Sequence, residues 1–254
     1  MGKAARDQSA RDRIKAQREA ERRQEQRKRV ATIVTVAVVA IAAVGAGWWF
    51  SAQSSKPEEA TAALAPISRA ADGTVVMAKA GVDKPVVDVY EDFQCPACKA
   101  LEETSAATLK NLAAEGKAKV VFHTVTIFPE QMNNGVTRAN SVRAAAAARC
   151  VPAGPAWMAY HDKLFEEQPS ETAEGFKIDD LVAWGEEAGV TDPGFAECVT
   201  SQAKAAEHLA ASDKTLEAAG IQGTPTLKIN GTEVDNNVAF TPAELRQAIL
   251  DAAK

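Results

Sequence analysis

The hydrophobic and polar positions divide this chain into three regimes. Residues 1–29 are polar and arginine-rich, with no apolar face. Val30 to Phe50 runs 21 residues without a charge. From about residue 74 onward, short β-branched runs and helical stripes take turns. Gly73–Met77 predicts a first short strand, and the apolar run Pro85-Val86-Val87-Asp88-Val89-Tyr90 opens a buried one over Val86–Phe93. Residues 96–115 place Leu101, Leu109 and Leu112 on one helical face, and Gly116 ends that helix. Lys119–Phe128 is β-branched and apolar, a further strand that could pair beside the Val86 strand through a right-handed βαβ crossover.

A helical stretch of some eighty residues follows. Val136–Cys150 is Ala-rich. Pro155 opens a helix with Trp157, Tyr160, His161, Leu164 and Phe165 on one stripe. Leu181, Trp184 and Ala188 mark another, closed by Gly189. Asp192-Pro193 reads as a cap with proline in the first turn of a short helix, where Phe195 and Cys198 share a face. Gln202–Ala219 is one more. Near the C-terminus, Asn230-Gly231 between two β runs predicts a hairpin, and Thr241-Pro242-Ala243-Glu244 predicts a capping box opening a final helix along Leu245, Ile249 and Ala253. Trp157, Tyr160 and Trp184 are read as core rather than a ligand box.

Charge sharpens the division. Residues 1–29 carry a net +6 and the rest a net −11. The acidic remainder argues against a nucleic-acid partner, and the basic segment is read as a solvated cytoplasmic tail. The apolar run is long enough to span a bilayer's hydrocarbon core. Arg27-Lys28-Arg29 would hold its start in the cytoplasm, and Trp48-Trp49 would sit at the outer interface. The expectation is one N-terminal transmembrane helix at 30–50, a signal anchor in the cell membrane; a cleaved signal peptide is the alternative. Residues 51–73, rich in Ala, Ser and Glu, read as an extracytoplasmic tether before a domain over 74–254. The four cysteines, at 95, 98, 150 and 198, allow two bridges in such an oxidising setting.

The candidate chemistry lies in Phe93-Gln94-Cys95-Pro96-Ala97-Cys98. A Cys-x-x-Cys between a strand and a helix puts the first sulfur at the helix N-terminus, where unpaired N–H groups and the dipole favour a thiolate. The second sulfur falls in the first turn, close enough to close a disulfide ring. Pro96 suits that turn because its missing N–H would have had no partner. The pair can therefore cycle between dithiol and disulfide. Half a zinc site is the rival reading, but no second close Cys or His pair exists to complete it. An inert structural disulfide is the other. His123, His161 and His208 have no metal-ligand spacing and are read as structural or solvated. No metal is expected from that spacing, and no Gly-rich nucleotide motif precedes a helix, so no organic cofactor is expected either.

The order of strand, Cys-x-x-Cys helix, strand, helical insertion, Thr-Pro, hairpin and final helix resembles the thioredoxin fold as elaborated in DsbA-like thiol–disulfide oxidoreductases. The membrane-anchored form with a second cysteine pair resembles their actinobacterial branch. Two separated motifs carry the likeness: Phe93–Cys98, and Gly223-Thr224-Pro225-Thr226 just before a strand. The expected fold class is α/β, a thioredoxin-like fold with an inserted all-helical subdomain at about 130–215. The resemblance implies that Cys95 and Cys98 are the redox pair, with Pro96 and Ala97 supporting it. It implies a cis bond at Pro225 facing the sulfurs, which would turn the Thr224 backbone toward an extended substrate; an ordinary trans proline starting a strand is the alternative. It also suggests a Cys150–Cys198 bridge between two insertion helices, although four cysteines allow three pairings and two free buried thiols remain open.

Two departures from the family pattern stand out. Pro96 and Ala97 leave no histidine between the cysteines, so a milder oxidant is expected. The position six before Cys95, where relatives often hold a buried acid, is Val89; Asp88 points to the other face, and Glu91 and Asp92 are read as strand-end surface charges. The implied function is introduction of disulfides into exported cysteine-containing proteins, with a quinone-linked membrane reoxidase of the DsbB or vitamin K epoxide reductase type. The alternatives are a reductase or isomerase of the same fold, for instance in cytochrome c maturation, or a non-catalytic binding module.

Overall fold

The structure is a computed structural model and describes Glu58 and residues 63–254. The basic tail, the Val30–Phe50 run and most of the expected tether lie outside the described residues. Among the described residues no helix is long and apolar enough to cross a membrane.

A six-stranded mixed sheet carries the domain, in the order β1 (Ile67–Arg69), β2 (Val75–Met77), β4 (Lys119–Thr124), β3 (Val86–Glu91), β5 (Thr226–Ile229) and β6 (Thr232–Glu233). Only β3 and β4 run parallel; the other neighbours are antiparallel. The central strands are the apolar, β-branched ones, as expected of strands covered on both faces. Val87 and Val89 of β3 and Val120 of β4 have no exposed surface. The hairpin between β5 and β6 turns through Asn230 (φ 51°) and Gly231 (φ 83°), the two positive values that a tight two-residue turn requires.

The expected tether ends earlier than residue 73. Ile67–Arg69 pairs with β2 as an edge strand, and Ala65 before it is buried. Its short length and lack of alternation hid it. The strand expected over Lys119–Phe128 stops at Thr124. Beyond it the amides of Thr126 and Ile127 turn to side chains, Ser212 Oγ at 2.9 Å and Asp92 Oδ2 at 3.0 Å, so the backbone is satisfied outside the sheet.

Helix α1 (Pro96–Ala114) joins β3 to β4 and packs against α3 (Pro155–Glu166) and α8 (Pro242–Asp251). Its Leu101, Leu109 and Leu112 are essentially fully buried, worth about 1.5–3 kcal/mol each relative to exposure. A left-handed Gly116 (φ 73°) follows its end. The helical insertion comprises α2 (Val136–Cys150), α3, α4 (Ile178–Glu187), α5 (Phe195–Thr200) and α6 (Ala205–Ala219). The alanines of α2 let neighbouring helices approach closely, and Ala144 to Ala148 are all buried. Trp157, Tyr160, Leu164 and Phe165 form the core-facing stripe of α3, with the Tyr160 hydroxyl donating to the Leu181 carbonyl at 3.0 Å.

Two helix starts and one helix cap differ from expectation. Asp192 accepts from the Gly194 amide at 2.7 Å, a local turn that delays α5 to Phe195. Gln202 sits at φ 50°, so α6 begins at Ala205. The Thr241 hydroxyl donates to the Asn237 carbonyl of α7 (Asn236–Ala239) at 2.8 Å instead of capping α8, so the capping box does not form. Cys150 at the end of α2 and Cys198 in α5 are disulfide-bonded across a separation of 48 residues.

Loop-closure entropy assigns that bridge about 4 kcal/mol. The Cys150→Ser/Cys198→Ser double variant should lose up to that amount in urea unfolding of the Cys95/Cys98-reduced protein; an unchanged midpoint would refute the assignment. A second test concerns His208, fully buried against Thr126 Oγ1 at 2.9 Å. Burial, together with Arg149 and Arg138, depresses its pKa to about 3. The unfolded chain then binds the extra proton between about pH 6.5 and 3, so His208 costs stability as pH falls, by about 1.4 kcal/mol per unit. The difference in unfolding free energy between the wild type and His208→Gln should show that slope below about pH 6.5 and vanish as a slope above it.

Candidate active site around Cys95

The strand β3 ends at Glu91, and the chain then tightens into α1. Asp92 drives this turn. Its Oδ1 accepts from the Gln94 amide at 2.9 Å and its Oδ2 from the Ile127 amide at 3.0 Å, while its carbonyl accepts from the Cys95 amide at 2.9 Å. One buried carboxyl group thereby ties together the ends of β3 and β4 and aims the cysteine loop. Glu91 and Asp92 are 1% and 0% exposed, so neither is the surface charge expected from the sequence. Both lie where the strand dives into the junction with the insertion, which covers them. Burial lifts the Asp92 pKa to about 6.

Cys95 is the N-cap residue of α1, in extended conformation (φ −80°, ψ 118°), with Pro96 in the first turn. It is 7% exposed; Cys98 is 1% exposed, Pro96 lies on the surface and Ala97 is partly buried. Both thiols are free. Across from them the Thr224–Pro225 peptide is cis, and the Cys95 thiol donates to the Thr224 carbonyl oxygen at 3.2 Å. Residues 129 positions apart in the chain thus meet at one sulfur.

The two thiols differ in their readiness to ionise. The Cys98 thiol, donating to Cys95, does most to pull the Cys95 pKa below the ordinary thiol value; burial opposes it, and the Thr224 hydroxyl and Cys98 amide assist it. That hydroxyl is buried with no other partner, so it can donate once Cys95 becomes a thiolate. The neighbouring thiol and the Cys98 amide in the first turn of α1 thus act in the same direction on Cys95. For Cys98, burial and then the neighbouring Cys95 push the pKa well above the ordinary value. The arrangement can hold one sulfur as an anion while the other keeps its proton.

A polar clamp from the insertion completes the loop. The Gln168 side-chain amide donates to the carbonyls of Phe93 (2.8 Å) and Cys95 (3.0 Å), and Gln94 donates back to the Pro169 carbonyl (2.9 Å). Gln168 carries no sequence signal, because nothing local marks a glutamine that folds back over a loop 73 residues earlier. Beneath the loop, His161 of α3 is completely buried and bonds Glu91 Oε1 through Nε2 at 2.9 Å. Burial alone would lower its pKa, but Glu91 and Asp162 carry it up to about 10. Glu102, on α1 one turn below Cys98, points at this pair, and burial lifts its pKa to about 7. The other cysteine pair, Cys150–Cys198, belongs to the insertion and takes no part in the loop.

A thioredoxin family model matches residues 81–251. The chain belongs to the thioredoxin family. Its solved structural neighbours include DsbA of Mycobacterium tuberculosis, at 28% identity and TM-score 0.58 over 74% of this chain and 92% of that one. The disulfide bond oxidoreductase DsbG of the same organism has 29% identity and TM-score 0.58 over 73% and 86%. MdbA of Corynebacterium matruchotii, a thiol–disulfide oxidoreductase, has the fold at 23% identity and TM-score 0.58, over 79% and 98%. No curated protein sequence matches this one. As a thioredoxin-family chain with DsbA-like neighbours, the protein is a protein-disulfide oxidoreductase.

Alkylation of the reduced protein should show one fast thiol, Cys95, with a pH midpoint below that of a free cysteine. Cys98→Ala should raise the midpoint more than Thr224→Val does. Identical midpoints in all three proteins would remove the account of the thiolate given above.

Proposed function

We propose that the domain stands outside the cytoplasm, tethered by the Val30–Phe50 segment, and introduces disulfides into exported proteins. The observation that carries this reading is the contrast between the two sulfurs: a Cys95 that retains slight exposure and ionises more readily, and a fully enclosed Cys98 that keeps its proton. A stabilised thiolate favours the reduced pair, which makes the disulfide form an oxidant. The lack of a histidine between the cysteines removes one stabiliser. Each loss of about 1.4 kcal/mol from the reduced form lowers the potential by about 30 mV, so the pair should be a mild member of its kind.

In the proposed cycle a client thiolate attacks Cys95 Sγ of the Cys95–Cys98 disulfide. The S–S bond breaks, its electron pair goes to Cys98 Sγ, and that sulfur takes a proton. A second client thiolate then attacks the client sulfur of the mixed disulfide and expels Cys95 as a thiolate. The client leaves oxidised, and the two electrons remain on Cys95 and Cys98. A quinone-linked membrane reoxidase would remove them. Thr224 and the cis Pro225 beside Cys95 offer an extended client backbone a place to lie against the sulfur. Gln168 and Asp92 hold the loop in place.

Equilibration of the soluble domain in glutathione buffers should give a potential near or above about −180 mV; one below about −250 mV would point to a reductase instead. Cys98→Ser should accumulate covalent adducts with exported clients in cells, and Cys95→Ser should not. Absence of adducts from Cys98→Ser would refute disulfide transfer to such clients.

A further inference from the structure

A second cluster of donor atoms lies behind the cysteine loop, and the proposed disulfide exchange does not need it. Glu91 from the end of β3, Glu102 from α1 and His161 from α3 each offer one donor atom, and these atoms lie within 4.8 Å of one another. Their sequence positions are remote, so three separate elements must assemble to bring them together. We infer that Glu91, Glu102 and His161 form a binding site for a single divalent transition-metal ion of the zinc class.

Four features of the geometry support this. The first is an orphan: Glu91 Oε2 is buried, on a residue 1% exposed, and has no hydrogen-bond partner, while Oε1 bonds His161. A buried carboxylate oxygen without a donor is costly, and a cation bound there removes the cost. The second is charge. Lys110 holds both oxygens of Asp162, at 2.7 and 2.6 Å, and so balances that carboxylate. A divalent ion bound at His161 Nε2 would displace the proton that nitrogen now shares with Glu91, and the carboxylates of Glu91 and Glu102 would then balance its two charges.

The third is the orientation of the imidazole. His161 Nδ1 faces Asp162 Oδ1 at 3.2 Å, leaving Nε2 toward the two glutamates. A histidine that ligates a metal through one nitrogen commonly donates its other N–H to a carboxylate in this way, which holds the ring in place and raises its basicity. The fourth is access. Glu91 and His161 are enclosed, and Glu102 alone of the three retains some residue exposure, so entry of an ion would be from that side. One imidazole and two carboxylates with an open position match a tri-coordinate protein site for Zn²⁺; the absence of sulfur leaves no preference for Cu(I). Bonds of about 2.0–2.2 Å to one tetrahedral ion set its donors about 3.4 Å apart, so the 2.9 Å Glu91–His161 contact would open slightly while the wider separations, within 4.8 Å, would close by side-chain rotation.

The test uses the full chain with Cys95 and Cys98 oxidised, so that neither thiol can ligate. Calorimetric titration with Zn²⁺ should show one equivalent bound and a raised thermal midpoint. Co²⁺ in place of Zn²⁺ should give visible d–d bands without sulfur-to-cobalt charge transfer. Glu102→Gln, at a partly exposed position that tolerates the change, should abolish both signals, and Asp162→Asn should weaken Zn²⁺ binding by about 10–100-fold. His161→Gln should abolish binding too, and circular dichroism would show whether that variant is folded. No Zn²⁺ uptake by the folded wild-type chain would leave an internal ion pair only and overturn the inference. Uptake undiminished in Glu102→Gln would place the ion elsewhere and overturn it equally.

Discussion

The rest of this structure depends on the unequal burial and ionisation of two neighbouring thiols. Cys98 is buried too deeply to ionise, and for that reason it can serve as a donor to Cys95. An exposed second cysteine would share its proton with water and stabilise nothing. The whole framework around α1 keeps this inequality in force. Leu101, Leu109 and Leu112 press the helix against its neighbours, which buries its first turn, and Asp92 pins the loop that leads into it.

The helical insertion acts on the site through backbone groups. Gln168 and Pro169 bind the loop from one side, and Gln94 answers from within it. These bonds leave the sulfurs untouched but hold the two carbonyls on either side of Gln94, those of Phe93 and Cys95. The Cys150–Cys198 bridge stiffens the insertion that carries Gln168. Two cysteine pairs thus have separate tasks. One lies across helices within the insertion and closes a long loop; the other sits at a strand–helix junction where its sulfurs can exchange partners.

Behind the site, polar groups occupy space that hydrophobic side chains usually fill. Phe93, Phe165 and Trp157 surround the His161 ring, so the Glu91–His161 pair is set in an aromatic cage. Removing one member of such a pair would leave the other charged and buried, which is costly. That constraint explains why the strand end that precedes the cysteines carries acids pointing inward, against the usual expectation for charged residues at the end of a strand.

Much of this was legible in the residues alone. The alternation of β-branched runs with leucine stripes marks the central strands and α1; Asn230-Gly231 marks the hairpin; and Cys95-Pro96-Ala97-Cys98 at a strand–helix junction announces thiol chemistry, because local geometry alone puts its sulfurs side by side. Such features depend on neighbours a few positions away. The rest depends on neighbours far along the chain. Glu91 and Asp92 look like surface charges until α3 and the β4 end close over them, Gln168 has no local mark at all, and Thr241 abandons its cap for a carbonyl supplied by α7. Burial decides the protonation of a carboxyl or thiol, and burial is a property of the packed molecule. The sequence by itself determined which atoms could react; only the tertiary structure decided which of them hold a proton, because that choice rests on water being excluded by residues the local chain does not contain.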